Sequence, residues 1–134
     1  MEVVRQWLRK ADHDLVSASA MLGLEERCPT DTVCFHAQQC VEKCLKALLV
    51  GEGRSFPRHH DIGELVALLA AENAVGLSPE EQERLTDYAT VTRYPGDYDD
   101  IPLVEAREAV TAARRVREET ERLLGAEEGG GETA

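Results

Sequence analysis

Apolar residues recur every three or four positions along three long stretches of the chain, Glu2 to Leu24, Thr32 to Val50 and Pro102 to Leu124. This spacing is typical of amphipathic helices, because it gathers the apolar side chains on one face. The pattern therefore predicts three long helices that pack against one another. The residues predicted to face the core are Val4, Leu8, Ala11, Leu15, Ala18 and Leu22; Val33, Ala37, Val41, Cys44, Leu45 and Leu48; and Leu103, Ala106, Val110, Ala113, Val116, Thr120 and Leu123.

Capping signals predict two shorter helices between the second and the last long one. Asp61 precedes an apolar run and is followed three residues later by Glu64, which is the spacing of a capping box. This helix is predicted to end near Asn73. Residues 78–81, Ser-Pro-Glu-Glu, combine a cap, a proline at the first helical position and a capping acid, so the fourth helix begins there. The second helix is predicted to end at Gly51, since glycine adopts the left-handed conformation that closes many helices.

Together these elements predict a single domain with an all-α fold. It is an up-and-down bundle of about five helices, three long and two shorter, over residues 1–124. Residues 125–134, GAEEGGGETA, contain too little apolar surface to pack against the bundle. They are predicted to form a disordered C-terminal tail.

The charge balance limits the partners that we expect. Twenty-six acidic residues against fifteen basic ones give a net charge of -11, which disfavours a general nucleic-acid coat but leaves room for a local basic pocket. No apolar run approaches the roughly 20 residues of a membrane span. The charged start, MEVVRQWLRK, lacks the apolar block of a signal peptide. We therefore expect a cytoplasmic protein with no membrane partner.

Three of the four cysteines lie inside the second predicted helix, and residues on one rigid helix at these spacings cannot close disulfides with each other. His36, Cys40 and Cys44 step by four along one flank, which is a spacing that can hold two metal ligands. No second ligand cluster accompanies them. We expect small buried thiols, and neither a metal nor another cofactor.

The second predicted helix carries an unusual polar side, because a phenylalanine lies within a row of polar and charged residues. Such a side differs from a purely solvated face, and we interpret it as a second contact surface, for a partner or a ligand. An ion pair within the helix is the alternative for Glu42 and Lys46, which are four apart in the favoured order. The row consists of Phe35, Gln39, Glu42 and Lys46, with His36 and Lys43 beside it.

Asp14 lies on the edge of the first predicted helix, between Trp7 and Met21. A half-buried carboxylate there would need a basic or hydrogen-bonding partner, whereas a solvated one would need none. The sequence leaves both interpretations open.

Most of the positive charge in the middle of this acidic chain lies on the second helix, in the loop after it and at the end of the fourth helix. If these segments converge, they form an anion pocket in which Arg93 binds a phosphate and an aromatic ring stacks on a base. Alternatively, Arg93 bonds carbonyl groups at its own helix end and His60 only packs the loop. The residues predicted to bind this ligand are Gln39, Lys43, Lys46, Arg58, His60, Arg93 and Tyr94.

These residues resemble those of the HEPN domains, small helical bundles found alone in prokaryotes or fused to larger proteins in eukaryotes. The combination of FxxQQxxEKxxKA with RYP is similar to one prokaryotic branch of that family. The matching residues are Ala11, Asp14, Leu15 and Ala18; Phe35, His36, Ala37, Gln38, Gln39, Glu42, Lys43, Lys46 and Ala47; His60, Asp61 and Leu65; and Tyr88, Arg93, Tyr94 and Pro95.

The resemblance implies an HEPN-like bundle that commonly forms a homodimer. It also implies a nucleotide- or RNA-binding component of a two-gene module with a small nucleotidyltransferase. Some members of the wider superfamily are metal-independent ribonucleases with a toxin-like role, which use an arginine followed four to six residues later by a histidine. No histidine follows Arg93 at that distance, whereas Arg54 and His59 satisfy the spacing in a loop.

The sequence thus leaves three functions open. Enzymatic activity is the less favoured one, and its candidate catalytic residues are His59, His60, Arg54 and Arg93. Binding of a nucleotide or RNA is preferred. A pure interaction subunit that binds a partner through Phe35, Gln39 and Trp7 is the third.

Overall fold

The computed structural model describes residues 2–56, 58, 61–90 and 100–133, and the side chains of residues 2–56, 58, 61–89 and 100–125. Within these ranges the chain forms five α-helices, two short 3-10 helices and no strand. The helices are α1 (Glu2–Leu22), α2 (Thr30–Gly51), α3 (Ile62–Leu68), α4 (Pro79–Thr90) and α5 (Leu103–Thr133), with 3-10 helices at Glu25–Arg27 and Ala71–Asn73. The predicted all-α bundle of three long and two shorter helices is confirmed.

Helix α2 lies at the centre of the bundle, because it packs against each of the other four helices. The three predicted apolar faces meet there. All six core residues predicted on α2 are buried, and so are most of those on α1 and α5. Only Leu15, Leu22, Leu103 and Leu123 of the predicted set are half-buried.

Both predicted cap residues accept a hydrogen bond from the backbone N–H three residues later. The Asp61 carboxylate accepts from the backbone N–H of Glu64 at 3.0 Å. At the start of α4, Ser78 Oγ accepts from the N–H of Glu81 at 3.1 Å, while the Glu81 carboxylate accepts from the N–H of Ser78 at 3.0 Å. Two donors that a helix start leaves open are thereby satisfied.

Several helix ends differ from the prediction. Helix α2 begins at Thr30 instead of Thr32, and its end is closed by Gly53 in the left-handed region (φ 74°) instead of by Gly51. Gly53 N–H donates to the Val50 carbonyl and Arg54 N–H to the Leu49 carbonyl, both at 2.9 Å, which is the pattern of a Schellman motif. Gly51 therefore lies within the last helical turn, and the left-handed residue follows two positions later.

The C-terminal ends of α3 and α5 also differ from the prediction. Helix α3 stops at Leu68, and after two extended residues Ala71–Asn73 form a separate 3-10 helix. Helix α5 continues to Thr133, beyond the predicted end at Leu124. No side chain after Gly125 is among those described. The disorder of residues 125–134 stays a prediction.

Charged side chains join α5 to its neighbours. The Arg117 guanidinium binds the Asp12 carboxylate of α1 through two hydrogen bonds, at 2.7 and 3.1 Å. On the other side, Arg115 binds the Glu81 carboxylate of α4 at 3.0 Å, and the Tyr88 hydroxyl donates to Glu105 at 2.5 Å. Helix α5 is thereby fixed against α1 and α4 as well as α2.

Candidate functional site

The Asp14 carboxylate connects α1 to α2. One oxygen accepts from His36 Nδ1 at 2.8 Å and the other accepts from Lys43 Nζ at 2.5 Å. The Asp14 side chain is only 11% exposed, so its charge is shielded from water and needs these two donors. Of the two interpretations that the sequence left open, the half-buried junction is correct.

A second polar network lies on α2 itself. The Gln39 amide donates to Gln38 at 2.7 Å, and the Gln38 amide donates to Glu42 at 3.0 Å. Lys46 Nζ donates to the other oxygen of Glu42 at 3.0 Å. The ion pair between Glu42 and Lys46 that the sequence offered as an alternative is therefore present, and both residues are buried.

Two aromatic rings cover Lys46. Its Nζ lies 5.4 Å from the Trp7 ring centroid and 5.5 Å from that of Phe56. The two rings meet edge to face, with centroids 6.1 Å apart. The ammonium group is attracted by the electron-rich faces of these rings, and its aliphatic stem adds apolar contact. This end of the polar side of α2 is covered by the chain itself.

Phe56 also fixes the course of the loop after α2. The loop leaves the helix at Gly53 and returns over it, since Phe56 packs against Trp7 and the hydrophobic core. Arg54 Nε donates to the Glu52 carboxylate at 2.8 Å. Arg58 is exposed and forms no ion pair with any described residue. Arg58 therefore follows two residues after Phe56, whose ring is fixed next to Lys46.

The described part of the predicted anion pocket carries less free charge than the sequence suggests. Lys43, Lys46 and Arg54 each bind a carboxylate, and only Arg58 among the described basic residues of the set does not. His59, His60, Arg93 and Tyr94 lie outside the described residues, so their place in the pocket stays a prediction. The pairing of Lys43 could not be predicted from the sequence, because its partner Asp14 lies on another helix.

The outer part of the same side of α2 is more open. We define the α2 flank as Phe35, His36, Gln39, Lys43 and Lys46, which follow one another along the helix at spacings of one, three, four and three. Phe35 is 41% exposed, and its ring lies edge to face against the His36 ring at 5.8 Å. His36 and Gln39 are half-buried. The flank thus runs from an open aromatic end at Phe35 to a covered end at Lys46.

Three of the four cysteines are buried. Burial raises the pKa of Cys34 to about 12, and a hydrogen bond with Cys44 together with burial raises the pKa of Cys40 far above its ordinary value. His36 turns to Asp14 instead of toward Cys40. Among the described residues, no group of three or more His, Cys, Asp or Glu side chains is placed to hold a metal ion.

A separate cavity of about 390 Å³ lies between α4 and α5 and includes Leu85, Tyr88 and Val104 in its walls. None of the described residues predicted to bind a ligand lines it. We therefore take the α2 flank and the loop after it as the candidate site.

The contact between Asp14 and His36 was not predicted from the sequence. The available signal was the antiparallel pairing of the first two helices, which brings the middle of α1 opposite the first half of α2. In such a pair, an acid at the edge of one helix meets the polar side of the other. The start of α1, at Trp7, then meets Lys46 near the end of α2.

A family model for the HEPN domain matches residues 4–123, which is nearly the whole chain. The chain belongs to the HEPN family. The resemblance to the HEPN family stated from sequence motifs is thereby confirmed, whereas the branch that the motifs suggest stays a prediction. None of the described helices of this HEPN protein is long and apolar enough to cross a membrane.

Individual relatives agree with this assignment. The HEPN chain is 29% identical over 106 residues to a protein of Methanocaldococcus jannaschii named "Putative toxin MJ1304", covering 73% of this chain and 67% of that protein. The crystal structure of TT1696 from Thermus thermophilus has a TM-score of 0.73 and 31% identity, over 92% of this chain and 99% of that one. The crystal structure of ST0689, described as an archaeal HEPN homologue, has a TM-score of 0.67 and 26% identity, over 88% and 94% of the two chains.

Proposed function

We propose that this HEPN protein binds RNA or a nucleotide along the α2 flank and the loop that follows it. In this proposal it acts in the cytoplasm as a homodimer, and as the binding component of a two-gene module with a small nucleotidyltransferase. An extended surface suits RNA better than a closed pocket does, because successive phosphates and bases can follow the helix.

The observation that carries the proposal is the packing of Phe56 over Lys46 and Trp7. This contact brings the loop back to α2 two residues before Arg58, and we expect the exposed Arg58 guanidinium to bind a phosphate on the flank. At the other end of the flank, the exposed Phe35 ring offers a surface on which a base can stack. In this proposal both features contact one ligand, to which they supply the charge and the stacking that a nucleotide needs.

Binding is tested with a fluorescent 12-nucleotide RNA and with ATP, by anisotropy and by thermal shift. We expect Phe35→Ala and Arg58→Ala each to weaken RNA binding several-fold. Arg84→Ala, which removes another exposed arginine on α4, is the matched control and is expected to leave binding unchanged. If neither ligand binds the wild-type protein, the proposal is wrong.

The toxin-named relative favours a second candidate, a metal-independent ribonuclease. In the form that the sequence suggests, His59 or His60 acts as the general base and Arg54 or Arg93 stabilises the charge on the phosphate. Cleavage of RNA in EDTA that is abolished by His60→Ala supports this form. Co-purification with a nucleotidyltransferase and no response to RNA or ATP would instead indicate a pure interaction subunit.

A further inference from the structure

We propose that the cavity between α4 and α5 binds an amphipathic carboxylate, a molecule with an apolar body and an acidic head group. The cavity has a volume of about 390 Å³, which is in the range of roughly 300–1,000 Å³ that is typical of small-molecule sites. None of the residues of the α2 flank lines it, so the proposed site is separate from the proposed RNA surface. The inference therefore does not depend on RNA binding.

The buried part of the cavity wall is apolar. Leu85 of α4 and Ala109 and Ala112 of α5 line it and are 2%, 7% and 6% exposed. Val104 also lines the cavity, but it is 62% exposed, so an apolar side chain of this size faces water. A ligand body that covers these residues is stabilised by the hydrophobic effect, because apolar surface of both molecules leaves water.

Two contacts across the cavity engage polar groups of its walls. Arg115 of α5 binds the Glu81 carboxylate of α4 at 3.0 Å, and the Tyr88 hydroxyl of α4 donates to Glu105 of α5 at 2.5 Å. Because each of these carboxylates accepts a hydrogen bond from the opposite helix, its repulsion of an incoming anion is reduced. The Tyr88 hydroxyl is also engaged, so Tyr88 offers its ring to the ligand body.

Arg107 is the group of the cavity wall to which we assign the head group. Among the described residues it has no ion-pair partner, whereas Arg84 lies 3.8 Å from Glu108 and Arg115 binds Glu81. A guanidinium group can bind both oxygens of a carboxylate at once, in a planar arrangement. An acid whose apolar body lies over the alanines would therefore place its carboxylate on Arg107.

The net charge of the protein makes a preference for an anion diagnostic. The chain carries a charge of -11, and the field of an acidic protein attracts cations and repels anions. Non-specific binding of an alkyl chain would therefore be tighter with a cationic head group than with a carboxylate. Tighter binding of the carboxylate requires a local positive group, such as the guanidinium of Arg107.

The test compares three probes with the same alkyl chain, decanoate, decan-1-ol and decyltrimethylammonium. Binding to the full chain is measured by isothermal titration calorimetry at neutral pH and low salt, below the concentration at which the probes form micelles. We expect decanoate to saturate a single site per chain. Its affinity is expected to exceed that of decyltrimethylammonium at least ~10-fold, since a charge-assisted hydrogen bond contributes that much.

Two pairs of variants separate the head group from the body. Arg107→Gln is expected to weaken decanoate binding ~10-fold and to leave decan-1-ol binding unchanged. Arg114→Gln, at an exposed arginine of α5 that does not line the cavity, is its matched control. Val104→Asp is expected to weaken the binding of both probes several-fold. Val16→Asp, at a valine of α1 that is 67% exposed, should leave the binding of both unchanged. Circular dichroism checks that each variant is folded.

Three results overturn the proposal. They are a wild-type protein that does not bind decanoate, an affinity for decyltrimethylammonium that equals or exceeds that for decanoate, and equal effects of Arg107→Gln and Arg114→Gln. If decanoate does not bind and Val104→Asp turns a dimer into a monomer in analytical ultracentrifugation, the cavity is instead part of an interface between two copies of the chain. RNA binding is measured with the variants of the α2 flank, so the proposed function can stand or fail independently of these results.

Discussion

The Lys46 ammonium lies against both the Trp7 and the Phe56 ring while it donates to the buried Glu42 carboxylate. This arrangement gives a structural role to a lysine that the sequence assigned to ligand binding. The charge of Lys46 is balanced inside the bundle, and its aromatic contacts fix the loop after α2. Removal of the Lys46 side chain should therefore first lower the stability of the fold.

We expect Lys46→Ala to destabilise the protein by about 3 kcal/mol, because Glu42 would stay buried without its ammonium partner. Lys46→Met keeps most of the apolar stem and isolates the effect of the charge. The double variant Glu42→Gln with Lys46→Met is expected to recover at least half of the loss. Urea unfolding measures the free energies. Lys10→Ala, at an exposed lysine of α1, should change stability by less than about 0.5 kcal/mol.

Glu52 should make stability depend on pH. Burial alone would raise the pKa of Glu52, but hydrogen bonds from Asn73, Ala70 and Arg54 outweigh it and hold this pKa below the ordinary value of 4.5. A lowered pKa in the folded state stabilises the fold above the unfolded pKa, and this contribution is lost as the pH falls through the folded value. We expect Glu52→Gln to be less stable than wild type at neutral pH, with the difference shrinking as the pH falls below the unfolded value of 4.5. A difference that stays constant from neutral to strongly acidic pH would contradict this.

The capping box of α4 offers a local test. Ser78→Ala removes the acceptor for the Glu81 N–H and is expected to cost about 1 kcal/mol. Thermal unfolding followed by circular dichroism measures the change in Tm. Ser55→Ala in the exposed loop removes the same hydroxyl with no cap and should leave Tm unchanged.

Two valines on α5 differ in burial while sharing one helix. Val110 is 1% exposed and Val104 is 62% exposed. Val110→Ala should cost about 2 kcal/mol through lost burial and a residual cavity. Val104→Ala should be close to neutral, since alanine is also the better helix former. Equal effects in urea unfolding would show that the α5 face is placed wrongly.

Cysteine reactivity should follow burial. Cys34, Cys40 and Cys44 are buried, while Cys28 is half-buried in the turn between α1 and α2. Burial raises the pKa of Cys34 to about 12, which leaves little thiolate at neutral pH. Iodoacetamide at mildly alkaline pH should therefore label Cys28 first, as read by mass spectrometry. Rapid labelling of Cys34 in the folded protein would be inconsistent with this core.

The helices could be predicted from the sequence because their cores depend on local spacing. The apolar arc from Val33 to Leu48 and the motif from Ser78 to Glu81 each lie within one element, so no knowledge of a partner was needed. The burial of Lys46 was not predictable in this way. It depends on Phe56, a loop residue whose path is fixed by Gly53. The pairing of Asp14 with His36 depends in the same way on the register between α1 and α2.

Arg117 binds Asp12 although 105 positions separate them in the sequence. During synthesis on the ribosome, the α1–α2 hairpin can assemble early, since its contacts are local. The apolar side of α2 that packs against α5 then stays uncovered until almost the entire bundle has emerged. Completion of this bundle thus requires the synthesis of α5, and the nascent chain exposes an unfilled groove until that helix has emerged.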